Sequence, residues 1–386
     1  MLSIHEIKSW LMQKRGVLTT RSAFVCRESY FGNSIIAPNS SKADADQRGF
    51  VPVELWIMSV VENANPLKLP NEGITKIKIG DDAVLLTELR DVAGELIFGK
   101  YADAWPLAKI IDIGGSPVTT SFGTTETTPI PVHVHGGTVV EGHAHKPGKT
   151  EAYFFPPTDV PPYDKKISAH TRIGLKAGVT KDDFRAKLRE YGENDSMYTL
   201  LNEFPITPMT GWTVPEGVLH APGPYITFEI QRPQDDCNFA AWKLGNRLTE
   251  QERHMWYQKK VLKGLADEDA FIDELLDWPL TTSQDFEKRY FHDAQLIEEG
   301  EWGTRHQIFF DMFYGEGWEV LPGKTFTLPE QEEPHAGVVW SGKGTFNGTA
   351  LSQEGENEFL CTPQNALEVS NTGDIPLLVY TVKPMR

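Results

Sequence analysis

The chain has 386 residues, 40% of them hydrophobic and 11% aromatic, with a formal net charge of −17 at pH 7. That is a globular composition with room for more than one core, and it excludes a disordered chain. The acidic balance, with no lysine/arginine cluster, excludes a nucleic-acid footprint, and no run of about 18 apolar residues is present to span a bilayer.

In chain order, "MLSIHEIKSWLMQKRG" reads as a short amphipathic helix with Ser3 and Glu6 spaced as a capping box, and not as a secretory signal with its apolar core. Residues 51–115 are strand-like throughout: "VPVELWIMSV", "ITKIKIG", "DAVLLTEL" and "LAKIIDIGG" are β-rich runs broken by Gly, Asn and Pro. The threonine-rich stretch 116–131 fits an exposed loop or an edge strand, and strands resume at "VHVHGG" and "EAYFFPP". A helix follows in "TKDDFRAKLREYG", capped by Thr180 with Asp183 three residues on. "GWTVPEGVLH" and "YITFEIQ" return to strand and tight turn. Residues 247–300 then read as about three helices, opened by the Thr249/Glu252 capping box and carried through "DEDAFIDELLDW" and "SQDFEKRYFHDAQLIEEG". From about 316 the chain is β again, with turns at Gly-Lys-Gly and Asn-Gly. Cys26, Cys237 and Cys361 are odd in number and far apart, which predicts no disulfide framework and a reducing, cytoplasmic setting.

The chemistry concentrates in "HVHGGTVVEGHAHKPGKTEAYFF", residues 133–155. His133 and His135 are two apart on an expected strand, so both leave the same face. Glu151 lies on a second strand and shares its face with Lys149 and Tyr153. The Pro215-Glu216-Gly217 turn brings His220 in from a third segment. In "TFEIQ", Thr227, Glu229 and Gln231 form a polar row opposite the apolar Phe228 and Ile230. Imidazoles with one carboxylate suit a divalent first-row metal with an open position, so His133, His135, Glu151 and His220 are the expected ligands. His143 and His145 are also two apart, but "EGHAHKPGK" reads as a loop near the mouth of a pocket. His335 by itself rebuilds no second metal site in the C-terminal part.

These motifs resemble the type I phosphomannose isomerases. "VELWI", "WPLAKIIDIGG", "PVHVHGG", "GKTEAYFF", "GLKAGVTKDDFRAKL", "GWTVPEGVLHA" and "FEIQRPQDD" follow that family's motifs in order over roughly residues 50–245. The resemblance implies a mainly β fold of two cupin-type jelly-roll barrels plus an α-helical domain. In this chain that divides into an N-terminal helix and extended segment (1–50), a metal-binding catalytic barrel (51–246), a helical segment (247–315) and a C-terminal barrel half (316–386). It implies zinc on His133, His135, Glu151 and His220, with Lys149 in the active site and Glu229 as a proton carrier for aldose–ketose isomerisation of a carbohydrate. Two positions depart from the family. His133 stands where the family has Gln, a three-histidine set that other cupins use with manganese, iron or nickel. Phe239 stands where the family has an arginine for the substrate, which leaves Arg232 or Lys243 as replacement cations. The alternatives are a cupin oxygenase or epimerase using the same donors, and a sugar-binding protein without chemistry.

Overall fold

The computed structural model describes residues 3–27, 52–65, 69–79, 82–114, 117–137, 148–158 and 169–386. It is mainly β, with antiparallel sheets paired into two jelly-roll barrels. In the first barrel, a seven-stranded sheet runs in the order Phe291–Asp293, Thr210–Val214, Glu151–Phe155, Ile226–Gln231, Leu107–Asp112, Pro52–Ile57 and Ala23–Cys26. Facing it, a five-stranded sheet runs Leu201–Pro205, His170–Leu175, His220–Ala221, His133–Val134 and Asn238–Phe239. The second barrel pairs a seven-stranded sheet, centred on His335–Ser341 and Leu377–Val382, with a four-stranded one.

The period-2 alternation of the strands decides what each face meets. The apolar row of the first barrel's larger sheet, including Ala108, Ile110, Ala152, Phe154, Phe228 and Ile230, turns outward. It packs on Ile308, Phe309, Ala336, Val338, Leu360 and Tyr380 of the second barrel. Phe228 lies 5.3 Å from Phe309 and 5.6 Å from Tyr380 between ring centres. Each such buried side chain stabilises the contact by about 1.5–3 kcal/mol. With the apolar rows spent between the barrels, the polar rows line the interior of the first. The interior of the second is filled instead by Trp318, Phe326, Phe346, Phe359 and Val379, and is a packed core.

The helical segment covers the outer face of the five-stranded sheet, where Phe271, Ile272 and Leu275 pack with Val132, Val134, Leu219 and Ala221. The approach is close. A Cβ on Gly136 would sit 2.5 Å from Leu275 Cα, and one on Gly217 would sit 2.7 Å from the Asp277 nitrogen.

Three elements differ from the sequence reading. Leu86–Phe98 is a helix within the stretch expected to be strands. Leu86, Leu89, Ala93 and Ile97 are its buried stripe, and the Glu88 carboxylate accepts from the Leu85 N–H at 3.1 Å. The segment 247–315 is helical only to Tyr290; Phe291–Asp293, Gln295–Gly300 and Gly303–Phe309 are strands that join the sheets of both barrels. In "FHDAQLIEEG" the sequence shows no burial period, because Gln295–Gly300 is an exposed edge strand at every position. Val17–Thr20, in the expected N-terminal segment, pairs with Glu358–Cys361 in the C-terminal barrel. Among the described residues no helix is long and apolar enough to cross a membrane.

Candidate metal centre

Two sheets deliver the four expected ligands to one point. His133 and His220 are directly paired across adjacent strands of the smaller sheet. His135 follows two residues on, where its carbonyl accepts the Gly217 N–H at 3.2 Å and so ties the two histidine segments together. Gly217 has a φ of 76°, the left-handed conformation that this turn requires before the chain re-enters at His220. Glu151 comes from the facing sheet, paired between Val214 and Gln231. One donor atom from each of His133, His135, Glu151 and His220 lies within 4.8 Å of the other three, and all four residues are buried.

The outer nitrogens of the imidazoles are spoken for. Nδ1 of His133 bonds the Pro131 carbonyl at 2.7 Å, that of His135 the Asp236 carbonyl at 2.5 Å, and that of His220 the Val218 carbonyl at 2.8 Å. A carbonyl only accepts, so each Nδ1 carries the proton and each Nε2 presents its lone pair inward. His135 Nε2 stands 3.2 Å from Glu151 Oε2, and His220 Nε2 stands 3.1 Å from Oε1. Neither nitrogen has a hydrogen-bond partner among the described residues, although both are buried. Buried lone pairs facing a carboxylate are costly unless a cation lies between them. The donor set therefore fits a divalent ion at the usual distances of about 2.0–2.2 Å.

Protonation states agree with that fit. Burial holds His133 well below its ordinary value and pushes His135 down to about 3, with the Lys149 charge adding to the latter. Burial alone would raise the Glu151 carboxyl, but Lys149 beside it holds it well below the usual carboxylate range. The Lys149 ammonium donates to Gln231 Oε1 at 2.7 Å and pairs with Glu151 Oε2 at 2.7 Å. The Tyr153 hydroxyl donates to the other Glu151 oxygen.

The ligands open onto a cavity of about 340 Å³ whose wall continues the polar row of the larger sheet. Register places Lys109 opposite Glu229, and Lys109 Nζ lies 3.1 Å from Glu229 Oε1 and 3.8 Å from Glu54 Oε2. Arg27 holds Glu54 and Asp235 together, at 2.8 Å to each. Burial, with the Glu151 charge nearby, raises the Glu229 carboxyl to about 7 against the opposing pull of Lys109. A buried carboxyl that titrates near neutrality, in a cavity that also holds four candidate metal ligands, is suited to carry a proton in both directions.

No protein-family model matches the chain, and no curated protein matches it in sequence. Solved structures do match. A candidate mannosephosphate isomerase from Archaeoglobus fulgidus superimposes with a TM-score of 0.62 at 16% identity, over 95% of this chain and 97% of that one. The mannose 6-phosphate isomerase from Bacillus subtilis gives 0.60 at 16% identity, over 95% and 99%. A zinc-bound mannose 6-phosphate isomerase gives 0.61 at 10% identity, over 96% and 100%. The chain has the fold of the mannose-6-phosphate isomerases.

On that fold, Lys149 and Glu229 both line the cavity, whereas Arg232 and Lys243 are not among its lining residues. Arg232 follows the last strand residue, Gln231, and alternation turns it away from the row that carries Glu229; its backbone N–H donates to the Thr150 carbonyl at 3.2 Å. Lys243 sits over the Trp242 ring, 5.5 Å from its centre. Phe239 does line the cavity, with its ring 6.1 Å from that of His133. His143 and His145 lie outside the described residues. His335 is buried in the second barrel, beside Trp318 and Phe359. The sequence reading missed Arg27, Glu54, Lys109 and Asp235. A single lysine inside the apolar run "LAKIID" was the available signal for Lys109.

Proposed function

We propose that the protein is a metal-dependent aldose–ketose isomerase of the mannose-6-phosphate isomerase type, acting on a sugar or sugar phosphate through an enediolate. The convergence of three inward Nε2 atoms and the Glu151 carboxylate on a cavity that also holds Glu229 carries this reading. A divalent ion on these four donors would polarise the sugar carbonyl and neighbouring hydroxyl as a Lewis acid. Zinc suits the set, and manganese, iron and nickel are the other candidates. Glu229 takes the proton from one carbon of the C1–C2 pair and returns it to the other, and its position near neutrality serves both steps. Lys149, held against Glu151 and Gln231, sets a fixed positive charge beside the developing oxyanion. Arg232, which is not among the cavity's lining residues, is given no role in this reading. The reading carries with it a cytoplasmic location, where sugar phosphates are made and used.

The test is incubation of the metal-loaded protein with paired aldoses and ketoses, free and phosphorylated, followed by NMR in heavy water. Interconversion that chelation abolishes and metal restores is the expected result. A fully metal-loaded protein that interconverts none of them would remove the isomerase reading. The three-histidine, one-glutamate set also favours a second reading, a cupin oxygenase, which would be marked by bound iron and by oxygen uptake with substrate.

A further inference from the structure

We propose a second binding site, separate from the metal centre: a cleft between the N-terminal helix and the second barrel that takes a small aliphatic anion, a carboxylate or phosphate on an alkyl body. Lys8 and Arg15 hold the head group, and Leu11, Met12, Leu96 and Pro363 receive the body. The cleft shares no lining residue with the cavity of the candidate metal centre, so it stands apart from the isomerase reading.

One wall of the cleft is the helix Ile4–Gln13. Ile7 and Leu11 are its buried positions and share a core with Leu89, Ala93 and Ile97 of the helix Leu86–Phe98. Lys8, Met12 and Arg15 are left exposed, Met12 at 80%. The helix ends in a Schellman turn: the Arg15 N–H donates to the Met12 carbonyl at 3.1 Å, and the Gly16 N–H donates to the Leu11 carbonyl at 2.9 Å. Arg15 occupies the left-handed position of that turn, with a φ of 50°, where glycine is the ordinary residue. The second barrel holds it there. Asn347 Nδ2 donates to the Arg15 carbonyl at 2.9 Å, and the Thr362 N–H donates to the Gly16 carbonyl at 2.9 Å. A Cβ on Gly16 would lie 2.2 Å from Asn365 Cγ, so the turn is closely seated. An arginine at this position is held against its backbone preference, the mark of a side chain put to use.

The lining selects the ligand. The cleft encloses about 510 Å³, the size of a small-molecule site. Lys8 and Arg15 are its charged groups, and no carboxylate is among its described lining residues. Neither the Lys8 ammonium nor the Arg15 guanidinium has an ion-pair or hydrogen-bond partner among the described residues. In a chain whose net charge is −17, two unpaired cations on one cleft make a local positive field. The neutral polar groups are already committed: Thr362 Oγ1 donates to the Gly16 carbonyl at 3.1 Å, and Asn365 Nδ2 donates to Thr362 Oγ1 at 3.0 Å. A neutral polar ligand therefore finds few open donors, whereas an oxyanion finds a guanidinium fork and an ammonium. The remaining wall, Leu11, Met12, Leu96 and Pro363, is aliphatic and has no aromatic ring, which suits an alkyl chain.

Calorimetric titration of the metal-loaded protein with octanoate, octyl phosphate and 1-octanol tests this. One of the two anions should bind about 10-fold or more tighter than the neutral alcohol, and the tighter one identifies the head group. Cutting its chain to four carbons should weaken it about 10-fold or more. Arg15→Gly, which restores the ordinary residue of the turn, should weaken binding about 10-fold or more without lowering the urea midpoint. Arg15→Gly with Lys8→Met should abolish it. Lys14→Ala, which removes a charge of the same segment outside the cleft, should leave the affinity within about threefold. Equal binding of anion and alcohol, indifference to chain length, or an affinity that survives the double substitution would overturn the site. An anion held by the metal instead would survive that substitution and be lost on chelation, which would overturn it too.

Discussion

Lys109 is the pivot of the buried charge row, and Lys109→Met tests whether that row is organised as described. At 3.1 Å from Glu229 Oε1, the pair attracts by about 5 kcal/mol at an effective dielectric constant near 20. Much of that attraction is offset by burying both charges, but removing one partner leaves the other buried and uncompensated, at a cost of about 3–5 kcal/mol. The substitution keeps the volume of the stem and removes only the charge. Glu229, already raised to about 7 by burial and Glu151, then rises further, because Lys109 was pulling it down. The sign follows from linkage. Between the unfolded carboxyl value of 4.5 and the raised folded value, the native state binds more protons, so stability falls as pH rises through that window. Urea unfolding at pH 6 and pH 8 should therefore show a larger loss for Lys109→Met at pH 8. Adding Glu229→Gln should recover a substantial part of it in a double-mutant cycle. A loss below about 1 kcal/mol at both pH values, the behaviour of an exposed pair, would refute the reasoning.

Three further outcomes are expected. Burial raises Glu358 to about 8 although Ser22 and the Met58 N–H, which donates to it at 2.9 Å, pull the other way, so the parent should lose stability as pH rises from about 5 to 8. Glu358→Gln should flatten that slope, with a gain of about 5 kcal/mol at most above pH 8; identical slopes in chemical denaturation would count against it. Gly217→Ala forces a side chain into a φ of 76° and against the Asp277 backbone, so it should cost about 1–2 kcal/mol or more and weaken metal binding through His220. An unchanged melting temperature would mean that the turn is not held as described. Tyr153→Phe removes the hydroxyl that donates to Glu151 and should lower metal affinity about 10–100-fold while leaving the fold intact, read by competition with a chelating dye. Unaltered affinity would show that the tyrosine does not orient the carboxylate.

Much of the candidate site was legible because strand alternation and turn chemistry are local. Two histidines at i and i+2, a glutamate on a strand and a Pro-x-Gly-x-x-His turn each announce a side-chain direction, and the polar row Thr227, Glu229, Gln231 announces an interior face. What local patterns cannot announce is the partner across the sheet. Lys109 looked like an intrusion in an apolar run until register set it against Glu229, and Arg27 reaches Asp235 from 208 residues away in sequence. The same limit hid the lysines at the cavity mouth. Nothing in the local pattern of Lys259 and Lys260 marks them, since only packing against Asn238 and Phe239 brings their turn to the cavity. The helix Leu86–Phe98 was missed because its first residues continue a β-rich run, while the edge strand Gln295–Gly300 carries no burial pattern at all. Arg232 was assigned from nearness in sequence, and the alternation of one strand was enough to turn it away.

The most direct test of the account is elemental analysis of the purified protein beside its His135→Ala variant. The account predicts close to one equivalent of a divalent metal, zinc first among the candidates, in the parent and its loss in the variant with the fold retained. A parent that takes up no metal after reconstitution, or a variant that keeps the same content, would contradict it.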